Sequence, residues 1–393
     1  MQFKKLLLGA AAGFSAGYVA FRAWEALSIA GRTPPVNRDP VAYGRLRRAL
    51  AVTDTLRGAL ATLAIAYGPA GALALRAARP LPPWLRPGAV AMLSTLGASI
   101  IELGASFVDE YHVEQRFGLS EQTVKSWLAD TIKGTALAGV LSGFMATAAA
   151  AALRRFPRSW PLIAGIALLP LLIAANIIVP LFVMPLFNRF EPLRGPLEER
   201  LRTLASRFGV GDAEILRVDM SRQTKKANAF VTGVGGTHRI VIGDTLIEAF
   251  PPEETEFVVA HELGHYINKD TWRSIALSEM LTSLLFVLAN AAMPAEQRRE
   301  LRDQPLLLVR LYAIMLATTQ LFRPAFLAFS RSREWAADRF AMAATHDARA
   351  GASAFRRLRD QNLSDEDPPL WYELFFSSHP SLKARIAALE ATG

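Results

Sequence analysis

The chain has 393 residues, 51% of them hydrophobic, and a mean hydropathy of +0.21, which is too apolar for an ordinary pair of soluble domains. The net charge of +9 does not indicate a nucleic-acid partner, because the arginines stand mostly at the ends of apolar segments and no nucleic-acid-binding motif is present. The absence of cysteine excludes disulfides, thiolate metal sites and a cysteine nucleophile.

Seven apolar segments of about 20 residues each predict membrane-spanning helices and a mostly α-helical, multi-pass protein of the lipid bilayer. They lie near residues 6–27, 55–78, 88–108, 134–153, 160–186, 274–293 and 306–329. Met1–Gly17 also has the pattern of a signal peptide, but its apolar stretch continues through Phe21 without a clear cleavage site, which favours an uncleaved span. Basic residues are nearly balanced between the loops of the two sides, so charge leaves the orientation open.

A polar stretch, residues 188–273, predicts a small folded unit between the fifth and sixth spans. It contains one amphipathic helix pattern and three short strand patterns, the last two strands being separated by a glycine-rich turn. The helix is predicted over Pro196–Phe208, the strands over Glu214–Met220, Asn228–Thr232 and Arg239–Ile242, and the turn over Gly233–Gly236. The chain therefore divides into a membrane region (1–187), a first folded part (188–273), a transmembrane hairpin (274–329) and a second folded part (330–393).

The stretch His261-Glu262-Leu263-Gly264-His265 is typical of a catalytic zinc helix. Residues four apart share one helix face, so His261 and His265 can bind the same ion. Glu262 projects beside them, where it can take a proton from a water molecule. Proline and acidic residues at Pro251–Glu254 favour the start of this helix.

Two histidines leave a catalytic zinc one protein ligand short, and the downstream segment Ser330–Ala341 supplies a candidate. Glu334 is the predicted third ligand. Asp338 lies one turn later, where it can accept the outer N–H of a metal-bound histidine. The predicted cofactor is one Zn²⁺ per chain, held by His261, His265 and Glu334.

Together these residues resemble the type 1 CAAX prenyl proteases, which are integral-membrane zinc metallopeptidases. The likeness runs from about residue 100 to 387 and includes further matching segments. These are Phe117–Ser120, Pro185–Phe190, Asn228–Phe230, Arg239–Ile242 and Ser378–Ser381 with Arg385-Ile386. The family often has a histidine where this chain has Ala227.

The resemblance implies a seven-helix membrane barrel that encloses a chamber. A gluzincin-type zinc peptidase domain with a small β-sheet would close its cytosolic end. It further implies that the zinc site faces the cytoplasm, with the N-terminus on the opposite side. The expected location is the cytoplasmic membrane of a bacterium.

The expected activity is that of an integral-membrane zinc metalloendopeptidase, with Glu262 as the proton acceptor. His379 is the candidate donor to the oxyanion, with Arg385 in support. Asn228, Ala229 and Phe230 are predicted to offer an edge strand to an extended substrate. His112, His238 and His346 lack partner spacing and are expected in loops or on the surface.

The expected substrate is a peptide or membrane protein, with or without an isoprenyl group. A quality-control protease with no lipid requirement is the alternative among enzymes, and a membrane scaffold or receptor is the alternative outside them. Glu262 argues against the scaffold, because a structural zinc site does not need it. A transporter would fit the seven spans, but no internal repeat supports it.

Overall fold

The structure is a computed structural model that describes residues 17–29, 32, 34–233, 238–292 and 304–392. Its helices are α1 (17–29), α2 (Pro40–Tyr67), α3 (Pro69–Ala78), α4 (Arg86–Arg116), α5 (Val124–Arg155), α6 (Trp160–Leu186), α7 (Pro196–Arg207), α8 (Asp244–Ala249), α9 (Pro252–Ile267), α10 (Asp270–Ala292), α11 (Pro305–Thr345), α12 (Ala348–Asn362), α13 (Leu370–Phe376) and α14 (Leu382–Glu390). Its strands are β1 (Phe190–Pro192), β2 (Glu214–Val218), β3 (Ala229–Thr232) and β4 (Arg239–Gly243).

Six of the described helices are long and apolar enough to cross a membrane, namely α2, α4, α5, α6, α10 and α11. The prediction of a mostly α-helical membrane protein with a small sheet is confirmed. The count of seven spans and the enclosed chamber stay predictions. Three predicted features lie partly outside the described residues. They are the first span at residues 6–16, the signal-peptide pattern at residues 1–16 and the glycine-rich turn at residues 234–236.

The bounds predicted for the second span, 55–78, are wrong. The chain there forms α2 from Pro40 to Tyr67 and then the separate helix α3. Pro69 disfavours a helical conformation at the residue before it, and Gly68 is extended, with φ −100° and ψ −173°. At the other end Asp39 caps α2 by accepting from the backbone N–H groups of Val41 and Ala42, so the helix begins earlier than hydropathy indicates.

A charged cluster lies among α1 and the two candidate membrane helices α2 and α4. Asp109 is buried in a π-helical turn of α4, Phe107–His112, and one of its carboxylate oxygens accepts from Arg57 Nη1 at 2.8 Å. Arg22 pairs with the other oxygen, and Arg57 also contacts Glu102. A carboxylate shared by two guanidinium groups joins three helices, and its burial would be costly without these partners.

The sheet has the order β1-β2-β4-β3, with β2 and β4 parallel and the outer pairs antiparallel. The three predicted strands all form. β3 is an edge strand, since within the described residues it pairs only with β4. β1 was not predicted, because three residues are too few to show an alternating pattern and this strand exists only through its pairing with β2.

The sheet and α9 share one hydrophobic core with α7, α11, α12 and α14. Phe257, Val259 and Leu263 of α9 are completely buried in it. Gly264 allows α11 to approach closely, because a Cβ there would lie 3.1 Å from Ala337 Cα and 3.1 Å from Phe340 Cβ. Packing in this core therefore holds α9 and α11, which carry the predicted metal ligands, in close contact.

Candidate active site

The helix α9 brings the two predicted histidine ligands onto one face. Pro252 opens the helix, Glu253 and Glu254 lie in its first turn, and the helix continues through Ile267. His261 Nε2 and His265 Nε2 are 3.2 Å apart, with the two rings perpendicular. Their inner nitrogens thus point toward the same place.

The third predicted ligand, Glu334, reaches that place from α11. Its Oε2 lies 3.3 Å from His261 Nε2, and its Oε1 lies 3.3 Å from His265 Nε2. The close approach at Gly264 makes this possible, since it brings the backbones of α9 and α11 together. Residues 69 positions apart in the sequence therefore meet in a single cluster.

The three side chains fit a metal ion by two observations. One ligand atom from each lies within 4.8 Å of the others. Glu334 Oε2 is buried without a well-formed hydrogen bond among the described residues, and lies 3.3 Å from His261 Nε2 and 3.4 Å from Arg385 Nη1. Two imidazoles and one carboxylate are the donor set of many catalytic zinc sites, in which one coordination position stays open.

Each histidine also contacts a carboxylate through its outer nitrogen. Asp338 Oδ1 lies 2.9 Å from His261 Nδ1, which is the contact predicted from the sequence. Asp270 Oδ2 lies 3.0 Å from His265 Nδ1. Such carboxylates hold a metal-binding imidazole in one tautomer and orientation. The orienting roles of the two carboxylates stay predictions. In the structure each imidazole has one carboxylate at its Nδ1.

Sequence reasoning missed Asp270. It is five residues after His265, but α9 ends between them, and Lys269 has a left-handed conformation with φ 56°. This break turns the chain back, so Asp270 starts the membrane helix α10 with its side chain toward the zinc helix. No local spacing signals that contact, because it depends on the geometry of the break.

The carboxylates make this place favourable for positive charge. Burial acts to lower the pKa of His261, but the nearby carboxylates of Asp338 and Glu334 outweigh it and raise that pKa to about 9. The pKa of His265 is also raised against the effect of burial, chiefly by Glu334. Burial raises the pKa of Glu262, the predicted proton acceptor. A cation bound between these groups would take the place of the protons on the two inner nitrogens, the Nε2 atoms of His261 and His265.

Arg385 has a different setting from the predicted contact with substrate. Only 5% of the residue is exposed. Its Nη2 and Nε donate to the two oxygens of Asp338 at 2.6 and 2.8 Å, and its guanidinium stacks on Phe355 with 4.2 Å to the ring centre. The contact of Arg385 with substrate stays a prediction. Arg385 orients Asp338, which in turn contacts His261.

His379 lies at the open side of the cluster. Its Nε2 is 3.4 Å from Glu334 Oε1, and its side chain is 60% exposed. Ser378 Oγ lies 2.8 Å from the other ring nitrogen. This position is compatible with the predicted contact to a reacting carbonyl, and the role stays a prediction.

The predicted substrate strand is next to the zinc helix. β3 packs against α9, with Ala229 buried, Phe230 half-buried and Asn228 exposed. Of the three remaining histidines, His238 contacts the Tyr266 hydroxyl, while His112 and His346 lie outside the cluster.

Two family descriptions match the chain. Residues 193–393 match "Peptidase family M48", and residues 41–189 match "CAAX prenyl protease N-terminal, five membrane helices". Among curated proteins, the chain is 30% identical to the "Uncharacterized metalloprotease YhfN" of Bacillus subtilis, over 71% of this chain and 68% of that protein. It is 28% identical to "CAAX prenyl protease 1" of Saccharomyces cerevisiae, over 76% of this chain and 70% of that protein.

Among solved structures, the fold is similar to the crystal structure of S. mikatae Ste24p. The TM-score is 0.79 and the sequence identity is 23%, with 97% of this chain and 98% of that chain covered. At this identity the likeness concerns the fold, which is shared along nearly the whole length of both chains.

Proposed function

This chain belongs to peptidase family M48 and is a membrane metalloprotease, and from that premise we propose that it hydrolyses peptide bonds at a zinc ion held by His261, His265 and Glu334. One observation carries the proposal: three ligand atoms converge within 4.8 Å, and the carboxylate of Glu262 belongs to the same helix. Zinc bound there would lower the pKa of a water molecule to about 7 and polarise the substrate carbonyl.

The protein side chains then have separate tasks in the proposed reaction. Glu262 accepts the proton from the attacking water and returns it to the leaving amine. His379, at the exposed side of the cluster, donates to the developing oxyanion. Asp338 and Asp270 hold the two imidazoles, and Arg385 holds Asp338.

We propose that the substrate binds as an extended strand along the free edge of β3. Backbone hydrogen bonds to an edge strand hold a peptide in one register without restricting its side chains. The support is that β3 has an unpaired edge in the described part of the sheet and packs directly against α9. Asn228, Ala229 and Phe230 are the residues at this edge nearest the start of the strand.

For the substrate class we propose isoprenylated proteins that are shortened at the C-terminus. The support is the match of residues 41–189 to the N-terminal membrane region of CAAX prenyl proteases and the similarity to CAAX prenyl protease 1 of yeast. A membrane protease that needs no lipid on its substrate would share the zinc chemistry and differ in what it admits.

The test is cleavage of one CAAX-type peptide, farnesylated and unfarnesylated, by detergent-purified protein, with the Glu262→Gln rate subtracted. We expect Glu262→Gln to lose activity by about 10²–10⁴-fold, since that is the usual contribution of a general base. Its zinc content should equal that of the wild type. Full activity in Glu262→Gln would refute the mechanism, whereas equal cleavage of both peptides would favour the lipid-independent protease.

We also propose the domain division 1–187, 188–273, 274–329 and 330–393, with the second and fourth parts forming one peptidase unit. The support is the shared core, which takes residues from Leu201 to Leu389 but none from the described part of the hairpin between the two parts. The zinc site is proposed to face the cytoplasm of a bacterium.

The absence of cysteine makes the orientation testable by single cysteine substitutions. We expect Glu121→Cys, in an exposed loop beside the peptidase unit, to be shielded from an impermeant maleimide in intact cells. The same variant should react after the membrane is permeabilised. Full labelling of intact cells would place the zinc site on the outside.

A further inference from the structure

A short segment before the proposed substrate strand β3 connects the peptidase unit to the membrane helices. The part of the chain that contains those helices, 1–187 and 274–329, is named here the membrane half. Residues Ser221–Asn228, named here the lead-in segment, join β2 to β3. Within it, Lys225 N donates to Leu119 O at 2.8 Å, and Gln223 O accepts from Ser120 Oγ at 2.7 Å. Leu119 and Ser120 belong to the loop between the membrane helices α4 and α5. The lead-in segment therefore lies against the membrane half.

Asp130 of α5 is the centre of this connection. Its Oδ2 accepts from Arg222 Nη2 at 3.0 Å, from Gln223 Nε2 at 3.0 Å and from Gln122 Nε2 at 2.9 Å. The side chain is mostly buried, with 14% exposed. A carboxylate that accepts three hydrogen bonds, one from a guanidinium, is strongly tied to its partners.

Arg222 extends the connection to two further places in the membrane half. Its Nη1 donates to Ser126 Oγ at 3.0 Å, in the first turn of α5. Its Nη2 donates to the backbone oxygen of Phe187, directly after α6. The side chain thus joins the beginning of one membrane helix and the end of the next to the lead-in segment.

The far end of the lead-in segment is held by the peptidase core. Ala227 N donates to Asn362 Oδ1 at 2.8 Å, and Asn362 Nδ2 donates back to Ala227 O at 3.2 Å. Asn228 O accepts from Gly243 N of β4 at 2.9 Å. With both ends fixed, the segment has little freedom to move, and neither has the start of β3.

We propose that Asp130 is a positioning residue for the substrate, acting through the lead-in segment on the register and direction of β3. The inference rests on the proposed function, in which the substrate pairs with this strand. A peptide added to an edge requires donors and acceptors at fixed spacing, so a shift at the start of β3 misaligns every following hydrogen bond. The membrane half would then set the line along which a peptide reaches the zinc site.

The experiment measures binding in a background that cannot cleave. A fluorescein-labelled farnesylated peptide is titrated into Glu262→Gln and into Glu262→Gln with Asp130→Asn, and the anisotropy gives Kd. Losing the charged partner of Arg222 should raise Kd about tenfold. Zinc content should not change. In the Glu262 wild-type background, Asp130→Asn should raise KM by the same factor and change kcat less than about twofold.

A peptide with N-methylated backbone amides distinguishes positioning from general weakening. N-methylation removes donors to β3, so it should weaken binding to Glu262→Gln. Its additional effect should be much smaller once Asp130→Asn has already disturbed the strand, because the two changes act on the same hydrogen bonds. Independent effects that multiply would overturn the proposal.

The matched control is Glu121→Gln in the same loop. Glu121 is 77% exposed and pairs with Lys225, which is 45% exposed, so its loss should change Kd less than about twofold. Ser120→Ala, which removes the hydrogen bond to Gln223 O, provides a second and milder disturbance if Asp130→Asn does not fold. It should raise Kd with unchanged zinc content.

Three further results would overturn the positioning role: an unchanged Kd in both variants, a loss of zinc with the Kd shift, or a fall in kcat at constant KM. All three are separate from a failure of the proposed function, which would appear as equal peptide cleavage by the wild type and Glu262→Gln.

Discussion

Phe257 in the peptidase unit is completely buried, whereas Phe144 in the membrane helix α5 is 62% exposed. Both belong to helices that the apolar pattern of the sequence predicts. In the peptidase unit, protein atoms cover the apolar side chains and form one core around α9. In the membrane half only 6–22% of each candidate span is buried, because lipid is expected to cover the rest.

Buried charged residues occur in both halves. Asp109 is buried between Arg22 and Arg57 within the membrane half. In the peptidase unit Glu334, Asp338 and Arg385 are buried beside His261, whereas Asp244 and Glu254 are buried elsewhere in the unit. The stability of the peptidase unit should therefore depend mainly on apolar packing. That of the membrane half should depend more on a few paired charges.

The largest expected effect is that of Phe257→Ala. Removing a fully buried phenyl ring should destabilise the peptidase unit by about 3–5 kcal/mol, since a cavity remains in the core. Phe144→Ala is the matched control and should cost less than about 1 kcal/mol, because its ring is exposed to lipid. The measurement is thermal unfolding of purified protein in detergent. Equal losses would contradict the contrast between the two halves.

Asp109→Asn should destabilise the membrane half by about 3 kcal/mol. The substitution leaves Arg22 and Arg57 without the carboxylate that they share. Glu25→Gln, which removes a more exposed partner of Arg22, should cost less. Thermal unfolding should show the loss, while zinc retention by folded protein stays normal. No change in stability would show that neighbouring groups or water replace the carboxylate.

Asp270→Asn should weaken zinc binding about 10–100-fold, as removal of a carboxylate behind a metal-binding histidine usually does. Asp338→Asn should have a comparable effect through His261. Competition with a chromogenic chelator measures both. Wild-type zinc retention in Asp270→Asn alone would mean that the start of α10 does not hold His265.

The smallest expected effect is that of Asp367→Asn at the surface of the peptidase unit. Asp367 pairs with Lys383, and both side chains are more than half exposed. The substitution should leave the unfolding midpoint unchanged, since water and salt screen such pairs. A clear fall in the unfolding midpoint would show that this surface ion pair contributes to the stability of the peptidase unit.

The sequence was sufficient for most of the zinc helix and the sheet. His261, Glu262 and His265 lie on one α-helix, and their relative positions follow from its pitch. The β-branched runs around Glu214–Val218 and Arg239–Gly243 formed the strands expected of them. The division of α2 from α3 at Gly68–Pro69 was also visible in the sequence, but continuous hydropathy obscured it.

Other features required the folded chain. The setting of Arg385 behind Asp338 and the contact of Asp270 with His265 cannot be read from spacing. In each case the partners belong to different helices or stand on either side of a helix break. Sequence spacing constrains such distances only weakly, because a single turn at Lys269 redirects everything after it.

Short-range sequence patterns thus determine which residues are available for the site. Long-range contacts determine the distances between them. Helical and strand periodicity identify the candidate metal ligands, the candidate proton acceptor and the membrane segments, because these patterns depend on backbone geometry a few residues long. The distance from Glu334 to the histidines depends instead on Gly264 and on a core built from distant segments. Packing alone brings such residues together, since it sums many contacts that no local pattern encodes.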